Sequence, residues 1–230
     1  MSTDQRSILA NAGIFEGLDS AQIDALARMA VRKTYRTREI VLRKGDPAMQ
    51  MYVIAKGRLK AITAGAEGRQ AALSIMGPGE VFGEVALLDG EPRSATITAL
   101  EPCELIILNR NDFYHFLERN PSAAIGLLQV LARRLRRLSE RVEDSTFLEI
   151  PGRLAKALVR LAQRYGRDVG DGTRIELKLS QQELGDLVGA TRESVNKQLR
   201  AWQSDGLLEQ EKGRVILKDV EAFEMMGEGL

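Results

Sequence analysis

"FGEVALLDGEPRSA" spans residues 82–95, and its reading decides what the first half of the chain is. A Gly-Glu pair, Gly83 and Glu84, precedes a short apolar run; a turn at Gly90–Pro92 then delivers Arg93 and Ser94. A surface loop needs none of this, and a buried strand does not choose an arginine. A short helix started near Gly83 would aim free backbone N–H groups at an anion. Glu84 would accept from a ribose hydroxyl, while Arg93 would pair bidentately with a phosphate and Ser94 would donate to it. The same charges would also serve as a structural Arg–Glu salt bridge. "GPGEVFGE" misses the dinucleotide G-x-G-x-x-G spacing by one residue and follows no βαβ pattern, which excludes a Rossmann site.

Around this stretch, from about 34 to 108, short runs such as "EIVLRKGD", "MYVIAKGRLKAIT", "QAALSIMG" and "SATITAL" alternate with Gly- and Pro-bearing breaks. That texture predicts an antiparallel sandwich or jelly roll, with "TAGAEGRQ" (Gly65, Gly68) as a hairpin loop inside it. Before it, "DSAQIDALARMAV" opens on Asp19 or Ser20 as an N-cap and repeats Ile23, Leu26, Ala27 and Ala30 at helical spacing. After it, residues 110–144 are helix-forming. Leu128, Leu131, Leu135, Leu138 and Val142 recur at spacings of 3, 4, 3 and 4, an a/d seam. Packing on the sandwich explains part of this stripe; the expectation is a two-stranded dimer seam. Arg133, Arg134, Arg136, Arg137 and Arg141 read as the solvated face of that helix, with nucleic-acid contact as the alternative. Pro151 and Gly152 mark the expected boundary to a second domain.

That second domain carries "LSQQELGDLVGATRESVNKQLRAWQSDGLL". Ser180 and Glu183 form a capping box for a helix ending near Gly189, and Thr191 caps a second helix over 192–204 with Val195, Leu199 and Trp202 inside. Two helices joined by a Gly turn make a helix-turn-helix, with an ordinary αα-hairpin as the bland alternative. Arg192, Glu193, Ser194 and Lys197 suit base edges, and Lys197 with Arg200 supplies charge for phosphates. Gln181, Gln182 and Thr191 complete the candidate DNA-contact set. "GLLEQEKGRVIL" reads as a hairpin wing behind them.

Composition narrows the classes. The chain has 230 residues, 44% hydrophobic and 28% charged, with a net charge of +1, so nucleic-acid binding must come from a local patch. The single cysteine, Cys103, excludes an intrachain disulfide and a multi-Cys metal or iron–sulfur site, and reads as a core thiol. The single histidine, His115, reads as a packing or surface residue, so no metal and no covalent cofactor is expected. No G-x-S-x-G, H-E-x-x-H or Walker loop is present, which predicts a non-enzyme. With no membrane-length apolar run and no basic-apolar leader, the expected compartment is the cytoplasm.

The whole chain, from about 10 to 220, resembles the bacterial cAMP receptor protein/FNR (CRP/FNR) family of transcription regulators. "FGEVALLDGEPRSAT" is similar to that family's phosphate-binding cassette, and "GDPAMQMYVIAKGRLK", with Gly45, Tyr52 and Gly57, to its earlier strand pair. The resemblance implies an α+β chain: a β-roll cyclic-nucleotide-binding domain over 1–120, a dimerisation helix and hinge over 121–148, and a winged helix-turn-helix over 149–230. It assigns Glu84 to the ribose 2′-hydroxyl, Arg93 and Ser94 to the cyclic phosphate, and the backbone of Gly83, Val85 and Ala86 to the same ligand. It implies a cyclic nucleotide (cAMP or cGMP) as effector, with double-stranded operator DNA, a second copy of the chain and RNA polymerase as partners. The loop "YGRDVGDGTRIEL" is the candidate polymerase contact. Two departures stand out. The family usually offers Thr-Ser to adenine where this chain has Leu138-Ser139, which opens cGMP or a cyclic dinucleotide; and it usually has Arg at the position of Lys197.

Overall fold

The computed structural model describes residues 3–64 and 70–228. The loop expected around Gly65 and Gly68 lies outside the described residues. The chain divides into two compact units, Met1–Arg137 and Leu138–Leu230.

The first unit begins with α1 (Thr3–Ala10) and α2 (Ser20–Met29), the latter started by an Asp19–Gln22 capping box. The strands β1 (Val31–Tyr35), β2 (Ile40–Leu42), β3 (Gln50–Lys56), β4 (Leu59–Ala64), β5 (Gln70–Met76), β6 (Val81–Phe82), β7 (Thr96–Ala99) and β8 (Cys103–Asn109) follow. They form two antiparallel sheets, ordered β1-β8-β3-β6 and β2-β7-β4-β5, which is the expected β-roll. "CELIILN" is covered on both faces, unlike a half-solvated strand. Leu105 and Ile107 join Tyr52, Ile54 and Phe82 between the sheets, whereas Ile106 and Leu108 join Met51 and Val53 under the helices. Cys103 belongs to the inner cluster, as expected of a core thiol; burial raises its pKa. His115 is exposed beside Glu118, 3.3 Å away.

Between β6 and β7 lies the short α3 (Glu84–Asp89), and after β8 come α4 (Arg110–Arg119) and α5 (Pro121–Phe147). The chain turns at Asn120, and Pro121 opens α5, where its missing N–H costs nothing. Leu131 packs against the core of the first unit, but Leu128, Leu135, Leu138 and Val142 are each at least 50% exposed.

In the second unit, α5 ends at Phe147 and α6 (Ile150–Tyr165) takes up Pro151 in its first turn, so the helix break precedes the proline. The remaining elements are β9 (Gly166–Asp168), β10 (Thr173–Ile175), α7 (Gln181–Val188), α8 (Arg192–Ser204), β11 (Leu208–Glu211), β12 (Arg214–Leu217) and α9 (Val220–Glu228). The order β11-β12-β10-β9 makes one small antiparallel sheet. The segment expected as a loop around Asp168 is therefore a hairpin. Among the described residues no helix is long and apolar enough to cross a membrane.

Candidate functional site

The cradle is built where β6 ends. Gly83 adopts φ +78°, and a Cβ there would stand 2.8 Å from the Arg93 guanidinium, so a side chain is refused twice. The left-handed turn starts α3 at once and buries Glu84 completely. Ala86 is buried beside it, whereas Val85 and Ser94 are exposed.

Arg93 arrives from the other side of the turn and is only 4% exposed. It makes no salt bridge with Glu84. Its Nη1 donates to the Gly83 carbonyl at 2.7 Å and its Nη2 to the Gln50 carbonyl at 2.7 Å. Its Nε has no partner. Burial lowers its pKa, and the nearby Tyr52, Glu84 and Asp46 oppose that shift. A buried cation hydrogen-bonded to neutral carbonyls has no direct ion pair, and an anion reaching it would relieve the cost of its burial.

Glu84 is instead paired from α5. Arg134 donates to Glu84 Oε1 and to the Val81 carbonyl, while Glu84 Oε2 is buried without a partner. This corrects the reading of Arg134 as part of a solvated face; Arg133, Arg136 and Arg137 are exposed as expected. Arg141 is also partly buried, and burial followed by repulsion from Arg160 lowers its pKa. The sequence signal for Arg134 was its place beside the apolar seam, four residues before Leu138. Leu138 and Ser139 are exposed residues of the second unit.

The second site is the α7–α8 pair. Ser180 accepts from the Glu183 N–H and Glu183 returns the bond at 2.9 Å, closing the expected capping box. A Cβ on Gly185 would sit 2.6 Å from the Ala190 carbonyl, so glycine lets the two helices approach. Thr191 caps α8, and Val195, Leu199 and Trp202 are buried. Thr191, Arg192, Glu193, Lys197 and Arg200 are exposed, and Ser194 is half-buried. Gln182 donates to the buried Asp186 at 2.8 Å and Gln181 to Asn196 at 3.3 Å, so both bond within the unit. The wing turns at Lys212 (φ 49°) and Gly213 (φ 80°).

Comparison with known proteins gives the same two halves. Residues 32–120 match the cyclic nucleotide-binding domain model and residues 152–226 the Crp-like helix-turn-helix domain model. The chain is 36% identical over 214 residues to the CRP-like cAMP-activated global transcriptional regulator of Mycobacterium tuberculosis, covering 93% of this chain and 96% of that one. It is 31% identical over 217 residues to the cyclic AMP receptor protein of Thermus thermophilus, covering 94% and 97%. Among solved structures, the c-di-GMP responsive global regulator CLP of Xanthomonas campestris superposes with a TM-score of 0.79 at 27% identity, covering 87% of this chain and 100% of that one. With a cradle in a β-roll, a winged helix-turn-helix, and relatives matching it nearly end to end, the chain belongs to the CRP-like family of DNA-binding transcription regulators.

Proposed function

We propose that the protein is a homodimeric transcription regulator whose DNA binding is gated by a cyclic nucleotide, cAMP or cGMP, held in the β-roll. One observation carries this: the hydrogen bonds of buried Arg93 go to neutral carbonyls and its Nε is unpartnered, beside a fully buried Glu84 with Oε2 unpartnered. A leftover donor on a cation and a leftover acceptor on a carboxylate are what a sugar-phosphate satisfies. Glu84 takes the ribose hydroxyl; Arg93, Ser94 and the backbone of Gly83, Val85 and Ala86 take the phosphate. Two relatives named for cAMP support the same ligand class.

The exposed stripe of Leu128, Leu135, Leu138 and Val142 is the seam to a second copy, with Leu131 at its inner edge. Dimerisation spaces two copies of α8 to read a pseudo-palindrome with Arg192, Glu193, Ser194 and Lys197, while Thr191, Arg200, Gln181 and Gln182 hold backbone and register. RNA polymerase is the partner on the promoter.

Leu138 favours a second reading. It cannot hydrogen-bond an adenine, and the 27%-identical CLP of Xanthomonas campestris is a c-di-GMP responsive regulator. The deciding experiment is calorimetry with cAMP, cGMP and c-di-GMP under conditions where the protein binds DNA. One ligand should give heat that Arg93→Ala abolishes; no heat with any of them sinks the sensor reading and leaves a regulator with another gate.

A further inference from the structure

A phosphate can use Arg93 only if the guanidinium plane is held, because an arginine otherwise samples many rotamers at an entropic cost. The main chain at Arg93 is fixed by the turn before β3. Gly45 N–H donates to the Arg93 carbonyl at 2.8 Å, and Arg93 N–H donates to the Asp46 carbonyl at 2.9 Å. The guanidinium is then held by two carbonyls, of Gly83 and Gln50, with its Cζ 6.0 Å over the centroid of the Tyr52 ring.

Tyr52 is itself immobilised. Its ring lies flat on Phe82, with centroids 4.9 Å apart and planes 5° from parallel, an arrangement set by the Tyr52–Phe82 register of β3 and β6. Its hydroxyl donates to Gln50 Oε1 at 3.1 Å, and Gln50 Nε2 donates to Asn109 Oδ1 at 3.2 Å. The residue whose carbonyl receives Arg93 is therefore tethered at its side chain by Tyr52 and Asn109.

We propose that Tyr52 is a positioning residue for Arg93. Its ring lies beneath the guanidinium carbon, and its hydroxyl holds the side chain of Gln50, whose carbonyl is the seat. With the plane fixed in this way, Nε is the one guanidinium nitrogen left without a protein partner, and it is offered to the phosphate. The role rests on the reading of the cradle as a phosphate site, but the seat itself is measurable without ligand.

The test uses the full-length protein and two readouts. In arginine side-chain 1H–15N spectra of the free protein, the Arg93 Nε–H signal is the one that Arg93→Lys removes. Tyr52→Leu should broaden or shift it towards free arginine. By calorimetry with cAMP, and cGMP as second probe, Tyr52→Leu should weaken binding about tenfold, and about twofold or less when Arg93 is already Lys. Tyr52→Phe, which keeps the ring and loses the Gln50 bond, should fall between wild type and Tyr52→Leu in both readouts. If Tyr52→Leu does not fold, Tyr52→Phe alone decides. An unchanged Nε–H signal, or losses that add independently of Arg93, overturns the positioning role. A wild type that binds no nucleotide but shows the Nε–H change overturns the phosphate reading and leaves the seat standing.

Discussion

At the scale of single residues, the cradle holds its two charges differently: Arg93 rests on neutral carbonyls, whereas Glu84 is paired with Arg134. Arg134 neutralises a carboxylate that is otherwise fully buried. Arg134→Ala should therefore destabilise the first unit by about 1–3 kcal/mol, and Glu84→Gln in the same chain should recover part of it, since the orphaned charge goes too. Thermal melts of the single and double variants measure that cycle. Gly83→Ala should cost about 1–2 kcal/mol from its left-handed backbone alone. It should also weaken nucleotide binding, because the added methyl meets the Arg93 guanidinium. A Gly83→Ala chain with wild-type stability would contradict the geometry. Gly83, Glu84 and Arg93 were legible because one local turn brings them together. Arg134 was not, because its partner lies 50 residues away and the meeting depends on how α5 packs.

At the scale of elements, two junctions are held by ion pairs. Asp144, near the end of α5, accepts from Lys156 at 2.5 Å and from Arg160 at 3.3 Å on α6, and Glu140 adds a contact to Arg160 at 3.4 Å. Asp144→Ala would remove the carboxylate that Lys156 and Arg160 share, leaving Glu140 on Arg160. The second unit should lose about 1–3 kcal/mol, with faster amide exchange across Ser145–Arg153 as the local sign. In the wing sheet, the Lys218 hydrogen bond lowers the pKa of Asp171, and the Arg174 hydrogen bond lowers that of Glu176. Both carboxylates stabilise the fold above their ordinary values of 3.8 and 4.5, and that support is lost as pH falls through the lower folded values. Lys218 is raised, chiefly by Asp171, so its share is full below the ordinary 10.5 and lost as pH rises through its folded value. Wing stability should therefore be flat between those limits, and Asp171→Asn should soften both edges in pH-dependent melts.

At the scale of the whole molecule, the exposed leucines of α5 make assembly the central question. If the proposed seam holds two copies together, Leu135→Glu, on a residue 66% exposed in the single chain, should leave the monomer folded but abolish that dimer in sedimentation. Affinity for a two-half-site operator should fall by a factor of 100 or more on the order expected from losing one linked contact set. A folded dimeric Leu135→Glu protein would remove this seam. The sequence by itself determined the run of short antiparallel strands and the capped helix-turn-helix, and it placed Gly83, Glu84 and Arg93 around one turn. These are written in short-range terms: strand periodicity, caps three residues apart, and a turn that demands glycine. Only the tertiary structure decided that Arg93 rests on carbonyls and that Arg134 takes Glu84. Those outcomes depend on which surfaces meet after packing, and a buried charge takes the partner that packing brings within hydrogen-bond reach.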